Sequence, residues 1–331
     1  MESWEQDRLF GPAALRGGWS AACGARVGHS GVAGAPTGCT VVLFERACAY
    51  AAEATGGAAS SRQVSALLRD HSVTVADAVL VTGGSAFGLD AGGGAMRWLE
   101  ERGRGIAVGS MRVPAVPTVT VFDLAFGKKG AWPGVETGYA ACEAAGTVVA
   151  EGRVGAGSGT AVGKVLGPGL AMWGGVGAAH VEIGTLVVGA IAVVNAFGNV
   201  HDPGTGRCVA GARNPAGGFA DAEEVILTGA LGGRLRAVDA TTVGVVVTNG
   251  RLKPVECRRA AILASQAFPA CIRPCQTAVD GDTVLLASAG EVEADSHQVG
   301  IAARLALSRA IVRAVGIANG GGAEPPVLRA E

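Results

Sequence analysis

The chain has 331 residues, 49% of them hydrophobic, 17% charged and 5% aromatic, with 54 glycines and a formal net charge of −1. That length suffices for one large domain with a sizeable core. The near-neutral charge without a long Lys/Arg cluster argues against nucleic acid as a partner, and so few aromatics argue against a base-stacking surface.

In chain order, residues 1–20 read as a loose arm; their early acidic residues and lack of an apolar core segment predict no signal peptide and a cytoplasmic protein. Thr37–Glu45 (TGCTVVLFE) is a predicted strand, and Gly56–Leu68 a loop leading into a short helix. Ala76–Gly84 (ADAVLVTGG) is a predicted buried strand followed by a Gly-rich helix over Ser85–Gly103. Val113–Leu124 carries two prolines and then a strand, and Pro133–Ala145 reads as a helix opened by its proline. Val154–Gly169 is a Gly-rich loop, and strands cover roughly Ala178–Ala196. The uncharged run Ile183–Val200 is long enough to span a bilayer, but its three glycines, two asparagines and many Val and Ile residues fit two buried strand segments better. A turn over His201–Gly211 and an exposed loop over Ala212–Glu224 follow. A buried strand at Val243–Val247 ends in the turn signal Thr248-Asn249-Gly250. A helix over Lys253–Phe268, a strand over Asp282–Gly290 and a long helix over Ser296–Ala318 complete the pattern. Mixed strands and helices with doubly buried strands predict an α/β or α+β layered body, a single domain over residues 1–331 with no internal repeat.

The eight cysteines contain no CxxC pair and read as reduced, mostly buried small apolar residues, with no metal expected. The run Gly155–Lys164 is not a phosphate loop, because Ser158 stands where the first Gly is required and Val165 follows Lys164 where Ser or Thr must hold magnesium. Glycine for close layer packing explains these stretches, and no cofactor is expected. Lys164 is the only lysine between Lys129 and Lys253. Either its stem reaches solvent, or it is a buried cation beside a reacting group; the residues alone leave both open.

Thr241 and Thr242 stand at the mouth of the strand that begins at Val243. None of the five histidines lies in a triad signature, so a hydroxyl nucleophile here needs another base. A cut before Thr241 would supply one, since an α-amine titrating at about pH 8 would lie beside its own hydroxyl. Two β-branched residues in a strand also need no function at all.

Several stretches together resemble the DmpA-like family of N-terminal-nucleophile aminopeptidases and amidases, which includes L-aminopeptidase/D-amidase/esterases, β-peptidyl aminopeptidases and a nylon-oligomer hydrolase. They are RVGHSGVAGAPTGCTVVLFE, VTGGSAFGLDAGGGAMRWLEERG, VPAVPTVTVFDL, SGTAVGKVLGPG, VGAIAVVNAFGNVHDPGTG, TTVGVVVTNGRL and IRPCQTAVDGDTVLLA, covering about residues 26 to 315. The resemblance implies a four-layer αββα sandwich, an autocatalytic cut into 1–240 and 241–331, and a homo-oligomer, in the family a homotetramer. By it Thr241 is the nucleophile, Lys164 the active-site lysine, and Asn195 the donor to the oxyanion. Asp280 and Asp282, 39 and 41 residues after Thr241, are the groups that contact its amine and hydroxyl. The implied activity is cleavage of small amide or peptide substrates through an acyl-threonine. An acyltransferase using the same intermediate and an uncut, non-catalytic scaffold are the alternatives.

Two departures bear on mechanism. Ala240 precedes the nucleophile where many relatives have Asn or Gly; Ala meets a steric cost at positive φ, so it would either slow the cut or store strain that speeds it. Trp132 stands where some relatives have an active-site Tyr, and it has no ionisable hydroxyl. If the loop holding Lys128, Lys129 and Trp132 lines the substrate pocket, its two lysines would disfavour a substrate ammonium.

Overall fold

The computed structural model describes residues 18–64, 73–126, 129–229 and 240–320. Of the arm expected over 1–20, residues 1–17 lie outside the described residues, while Gly18–Ala22 forms a short helix that buries Trp19 and Ser20 rather than a loose arm; Lys128 and the expected helix from residue 65 onward also lie outside the described residues.

Nine strands form the main sheet: β1 (Ala25–Val32), β2 (Ala35–Ala54), β3 (Ser61–Arg62), β4 (Val75–Thr82), β5 (Thr118–Thr120), β6 (Gly175–Ile183), β7 (Leu186–Val194), β8 (Val243–Arg251) and β9 (Thr283–Glu293). Their order is β6-β7-β8-β9-β2-β4-β5-β3, with β1 on β2. The pairs β8–β9 and β4–β5 are parallel and the others antiparallel. Four helices cover it: α1 (Ala91–Glu100), α2 (Val135–Glu143), α3 (Pro254–Ser265) and α4 (Ser296–Ala318).

The long strand β2 turns this one path into two layers. Its register slips between Leu43 and Cys48; before the slip it pairs with β1 and β4, and after it mainly with β9. Side-chain alternation then fills three separate cores. On β7, Val188, Ala190, Ala192 and Val194 face α3 and α4, meeting Ala260, Ala264, Leu307 and Ile311. The alternate residues Val187, Ile191 and Val193 join Val243, Val245 and Leu285 against Val42, Phe44, Val79 and Val81 of the other layer. Cys39, Val41, Leu43 and Leu80 face away from that core, onto Ala95 and Leu99 of α1 and Ala141 of α2. Three cores between four layers are the αββα arrangement that the resemblance implies. All nine residues of β7 are buried, as a strand covered on both faces requires.

Glycine sets the helix spacing. A Cβ on Gly94 would lie 1.8 Å from the Val135 carbonyl oxygen, and one on Gly138 would lie 1.9 Å from that of Ala91, so α1 and α2 touch backbone to backbone.

Several sequence expectations need correction. The expected helix over Ser85–Gly103 is a 3₁₀ turn over Ser85–Asp90 followed by α1. Gly134, not Pro133, caps α2, leaving the proline just outside. The loop expected over Ala212–Glu224 gives way to a short helix, Ala222–Leu227, because the Asp221 carboxylate accepts the N–H groups of Glu223 and Glu224. Thr248-Asn249-Gly250 is not a turn; the strand bulges there and continues to Arg251. The Asn249 side chain supports that bulge, accepting from the Val187 N–H at 2.7 Å and donating to the Thr185 carbonyl at 2.9 Å. The stretch Ile183–Val200 is the end of β6, β7 and a short strand Asn199–His201, and no described helix is long and apolar enough to cross a membrane. All eight cysteines are free, and Cys208 and Cys275 are the partly exposed ones.

Candidate active site

Topology gathers the candidate residues. Because β8 and β9 are parallel and in register, with Val243 beside Thr283, the segments leading into them run side by side. Ala240 bridges Asp280: its N–H donates to the Val279 carbonyl at 2.9 Å, and its carbonyl accepts the Gly281 N–H at 2.7 Å. Strand β7 is antiparallel to β8, so its C-terminal end meets the same mouth, and the Thr241 N–H donates to the Asn195 carbonyl at 2.9 Å. Lys164 sits in a 3₁₀ turn hung on the chain just past β7, its N–H donating to the Phe197 carbonyl at 3.0 Å.

Thr241, Lys164, Asn195, Asp280 and Asp282 are all buried. The Lys164 side chain does not snorkel. It is 4% exposed, and its ammonium donates to both the Asn195 carbonyl (3.1 Å) and its side-chain Oδ1 (3.0 Å). Asn195 Oδ1 also accepts the Ala161 N–H at 3.1 Å, while Nδ2 donates to the Phe122 carbonyl at 2.9 Å. Asn195 thus organises the site, joining the lysine, the Thr241 amide and the Phe122 segment.

The two threonines differ. The Thr241 hydroxyl donates to the carbonyl of Ala240, its own preceding residue, at 2.6 Å. The Thr242 hydroxyl is buried and has no hydrogen-bond partner among the described residues. The Thr242 N–H donates instead to Asp282 Oδ1 at 2.7 Å, and its carbonyl accepts the Thr283 N–H at 3.0 Å. The second Asp282 oxygen accepts the Gln276 N–H at 3.0 Å. The Asp280 carboxylate accepts both the N–H (2.9 Å) and the hydroxyl of Thr277.

Burial pushes the Asp282 carboxyl up to about 7, with the charge of Asp280 adding to the rise; the Thr242 and Gln276 N–H groups and the Lys164 charge pull the other way. Ala240 does not adopt positive φ, and its buried methyl packs with Val165, Phe197, Ala212 and Ala222. The predicted φ strain is therefore absent. Trp132 is half-exposed and stacks on the exposed Phe87 with ring centroids 4.3 Å apart. Lys129 is exposed.

Two residues went unnoticed in the sequence. Gly281 supplies the N–H on the Ala240 carbonyl, and a Cβ there would come within 2.7 Å of the Thr241 hydroxyl. Its place between Asp280 and Asp282 was the available signal. Asp123 is buried beside this network, and nothing in its local sequence marks it out.

Comparison with known proteins shows the family and the fold. Residues 22–321 match peptidase family S58. An uncharacterized aminopeptidase of Mycobacterium tuberculosis is 40% identical over 311 residues, covering 89% of this chain and 88% of its own. A 6-aminohexanoate-oligomer endohydrolase of Kocuria is 28% identical over 82% of this chain and 74% of its own. The solved structure of the L-aminopeptidase D-Ala-esterase/amidase from Ochrobactrum anthropi, of the N-terminal-nucleophile hydrolase fold, superposes with a TM-score of 0.64 at 16% identity, covering 94% of this chain and 89% of that one. This chain belongs to peptidase family S58 and is an amide and peptide hydrolase with the N-terminal-nucleophile hydrolase fold.

Proposed function

We propose that the chain cuts itself between Ala240 and Thr241 and that the freed Thr241 hydrolyses small amides through an acyl-threonine. One observation carries the reading: the Ala240 carbonyl accepts the Thr241 hydroxyl at 2.6 Å and the Gly281 N–H at 2.7 Å. The nucleophile therefore lies against the group it must attack, with a backbone donor already on the oxygen where negative charge would develop. Attack of Oγ1 on the Ala240 carbonyl carbon breaks the C–N bond as the nitrogen takes up the hydroxyl proton. Water then opens the ester, leaving a carboxylate on Ala240 and an α-amine on Thr241.

In the second reaction that amine takes the hydroxyl proton, Oγ1 attacks the substrate carbonyl, and the leaving amine carries the proton away; water, giving up a proton to the same α-amine, then opens the acyl-threonine ester, releasing the acid and restoring the hydroxyl. The Lys164 ammonium and the remaining N–H of Asn195 stabilise the oxyanion in a site shielded from water. In the uncut chain Asp282 accepts the Thr242 and Gln276 N–H groups and Asp280 accepts Thr277, so neither touches Thr241; once the cut frees the amine, their nearby charges favour its ammonium form.

The substrate class follows from charge. Lys129 is exposed, so its repulsion of an ammonium is screened, whereas Asp280 and Asp282 are buried at the site beside Lys164. That acidic excess favours a small amide bearing a free amine, and the names of the aminopeptidase relatives support the same choice. The test compares an aminoacyl p-nitroanilide with its N-acetylated form. Turnover of the free amine, lost in Thr241→Ala, is expected; equal turnover of both would overturn the amine preference, and turnover by Thr241→Ala would overturn the nucleophile. Added amine that diverts the acyl group from water would favour the transferase alternative.

A further inference from the structure

Asp123 is the buried carboxylate that the mechanism leaves unused. It lies just past β5, 1% exposed, with Oδ1 accepting the Gly84 N–H at 2.7 Å. Among the described residues neither its Oδ2 nor the Thr37 hydroxyl makes a well-formed hydrogen bond, yet the two lie close enough for the hydroxyl to favour the ionised carboxylate. Both face the same point: a Cβ on Gly83 would lie 2.1 Å from Oδ2 and 2.3 Å from Thr37 Oγ1. A side chain at Gly83 is thereby excluded, and the pair is sealed from solvent. The neighbouring carbonyl, that of Phe122, holds the Asn195 side chain. Asn195 in turn accepts the Lys164 ammonium and the Thr241 N–H.

We propose that Asp123 is a positioning residue for the chemistry at Thr241: by pinning the Gly83–Gly84 turn to the segment after β5, it fixes the Phe122 carbonyl and, through Asn195, the placement of Lys164 and of the Thr241 amine. Buried carboxyls are retained where their geometry sets that of a neighbour, because leaving a backbone N–H such as that of Gly84 unpaired is unfavourable. Burial raises the Asp123 carboxyl above its ordinary range, against the Thr37 hydroxyl, the Gly84 N–H and the Lys164 charge, which favour the ionised form. Among the charged groups described, Lys164 is the one whose field reaches it, and Thr37, Gly84 and Gly159, which pack against it, are uncharged.

This inference rests on the proposed reaction at Thr241, so wild type is run beside each variant; an uncut, inactive wild type would refute that reaction itself. Asp123→Asn keeps an acceptor for the Gly84 N–H, and its kcat is expected within about threefold of wild type, with self-cleavage intact. Asp123→Leu keeps the branched shape, in a bulkier form, but not the acceptor. Its kcat per cleaved site should fall at least about tenfold, with KM unchanged and self-cleavage slowed alike. A purely stabilising role would lower Tm and yield and leave kcat per cleaved site alone. Wild-type kcat in Asp123→Leu overturns the proposal, as does an equal loss in Asp123→Asn, which would assign the effect to the charge. Should Asp123→Leu not fold, Thr37→Val decides: a severalfold lower kcat at unchanged KM supports the proposal, and unchanged kcat overturns it.

Discussion

At the far end of β8 the Thr248 hydroxyl donates to the Val187 carbonyl at 2.8 Å and accepts the Gly250 N–H at 3.0 Å. At the near end the Thr241 hydroxyl donates to the carbonyl of Ala240, and the buried Thr242 hydroxyl has no partner among the described residues. Both ends are buried, and both carry the same residue type. At the bulge the hydroxyl completes the hydrogen bonding of an irregular strand, and its cross-strand neighbours are Val188 and Ser288. At the mouth the backbone pairs without the hydroxyl's help, through Asn195, Val279 and Gly281, so the Thr241 hydroxyl is available for chemistry. A threonine hydroxyl at a strand end is thus used up by the strand's hydrogen bonding or left over from it, according to what else satisfies the backbone around it.

The comparison can be broken most forcefully by removing each hydroxyl in turn. Thr241→Ala should abolish self-cleavage and lower amide turnover at least about a thousandfold while the protein stays folded. An assay showing residual wild-type turnover would erase the distinction between the two ends. Lys164→Ala should come next, with turnover down about a hundredfold and the fold retained, because a buried cation beside the reaction is gone; wild-type kinetics would leave the lysine a structural clasp for Asn195.

Asp282 sharpens the contrast through pH. Its carboxyl titrates near 7 in the folded chain and at about 4 when unfolded, so between those values the folded state holds the extra proton. Its contribution therefore turns against folding as pH rises from about 4 to about 7. The Tm of uncut Thr241→Ala should fall more steeply over that window than that of Thr241→Ala/Asp282→Asn. Parallel Tm curves would contradict the assignment. The smallest expected effect lies at the bulge: Thr248→Val should cost about 1–2 kcal/mol in denaturant unfolding and leave kcat per cleaved site unchanged.

The long helix Ser296–Ala318 and the strands at Val75–Thr82 and Leu186–Val194 were readable from apolar runs and flanking turn residues, because their signals are local. The parallel pairing of β8 with β9 was not, since nothing between residues 251 and 283 states which edge the returning strand takes. The site depends on that pairing. Asp280 and Asp282 read locally as a solvated turn, and it is their register beside Ala240 that buries them. The five named site residues came from family resemblance rather than from pattern. Gly281 and Asp123 escaped because one contributes only its backbone N–H and the other is buried next to Phe122, whose carbonyl, not the Asp123 side chain, meets Asn195. The turn signal at Thr248-Asn249-Gly250 misled because its side chains support a bulge instead.

The central claim is that Thr241, and not Thr242, attacks the Ala240 carbonyl. Intact-mass and N-terminal analysis of purified protein, with Thr241→Ala beside it, tests that claim most directly. The account predicts fragments of 240 and 91 residues, the second beginning Thr-Thr-Val, and an uncut variant. A fragment beginning at Thr242, or a wild-type chain still whole after days at neutral pH, would contradict it.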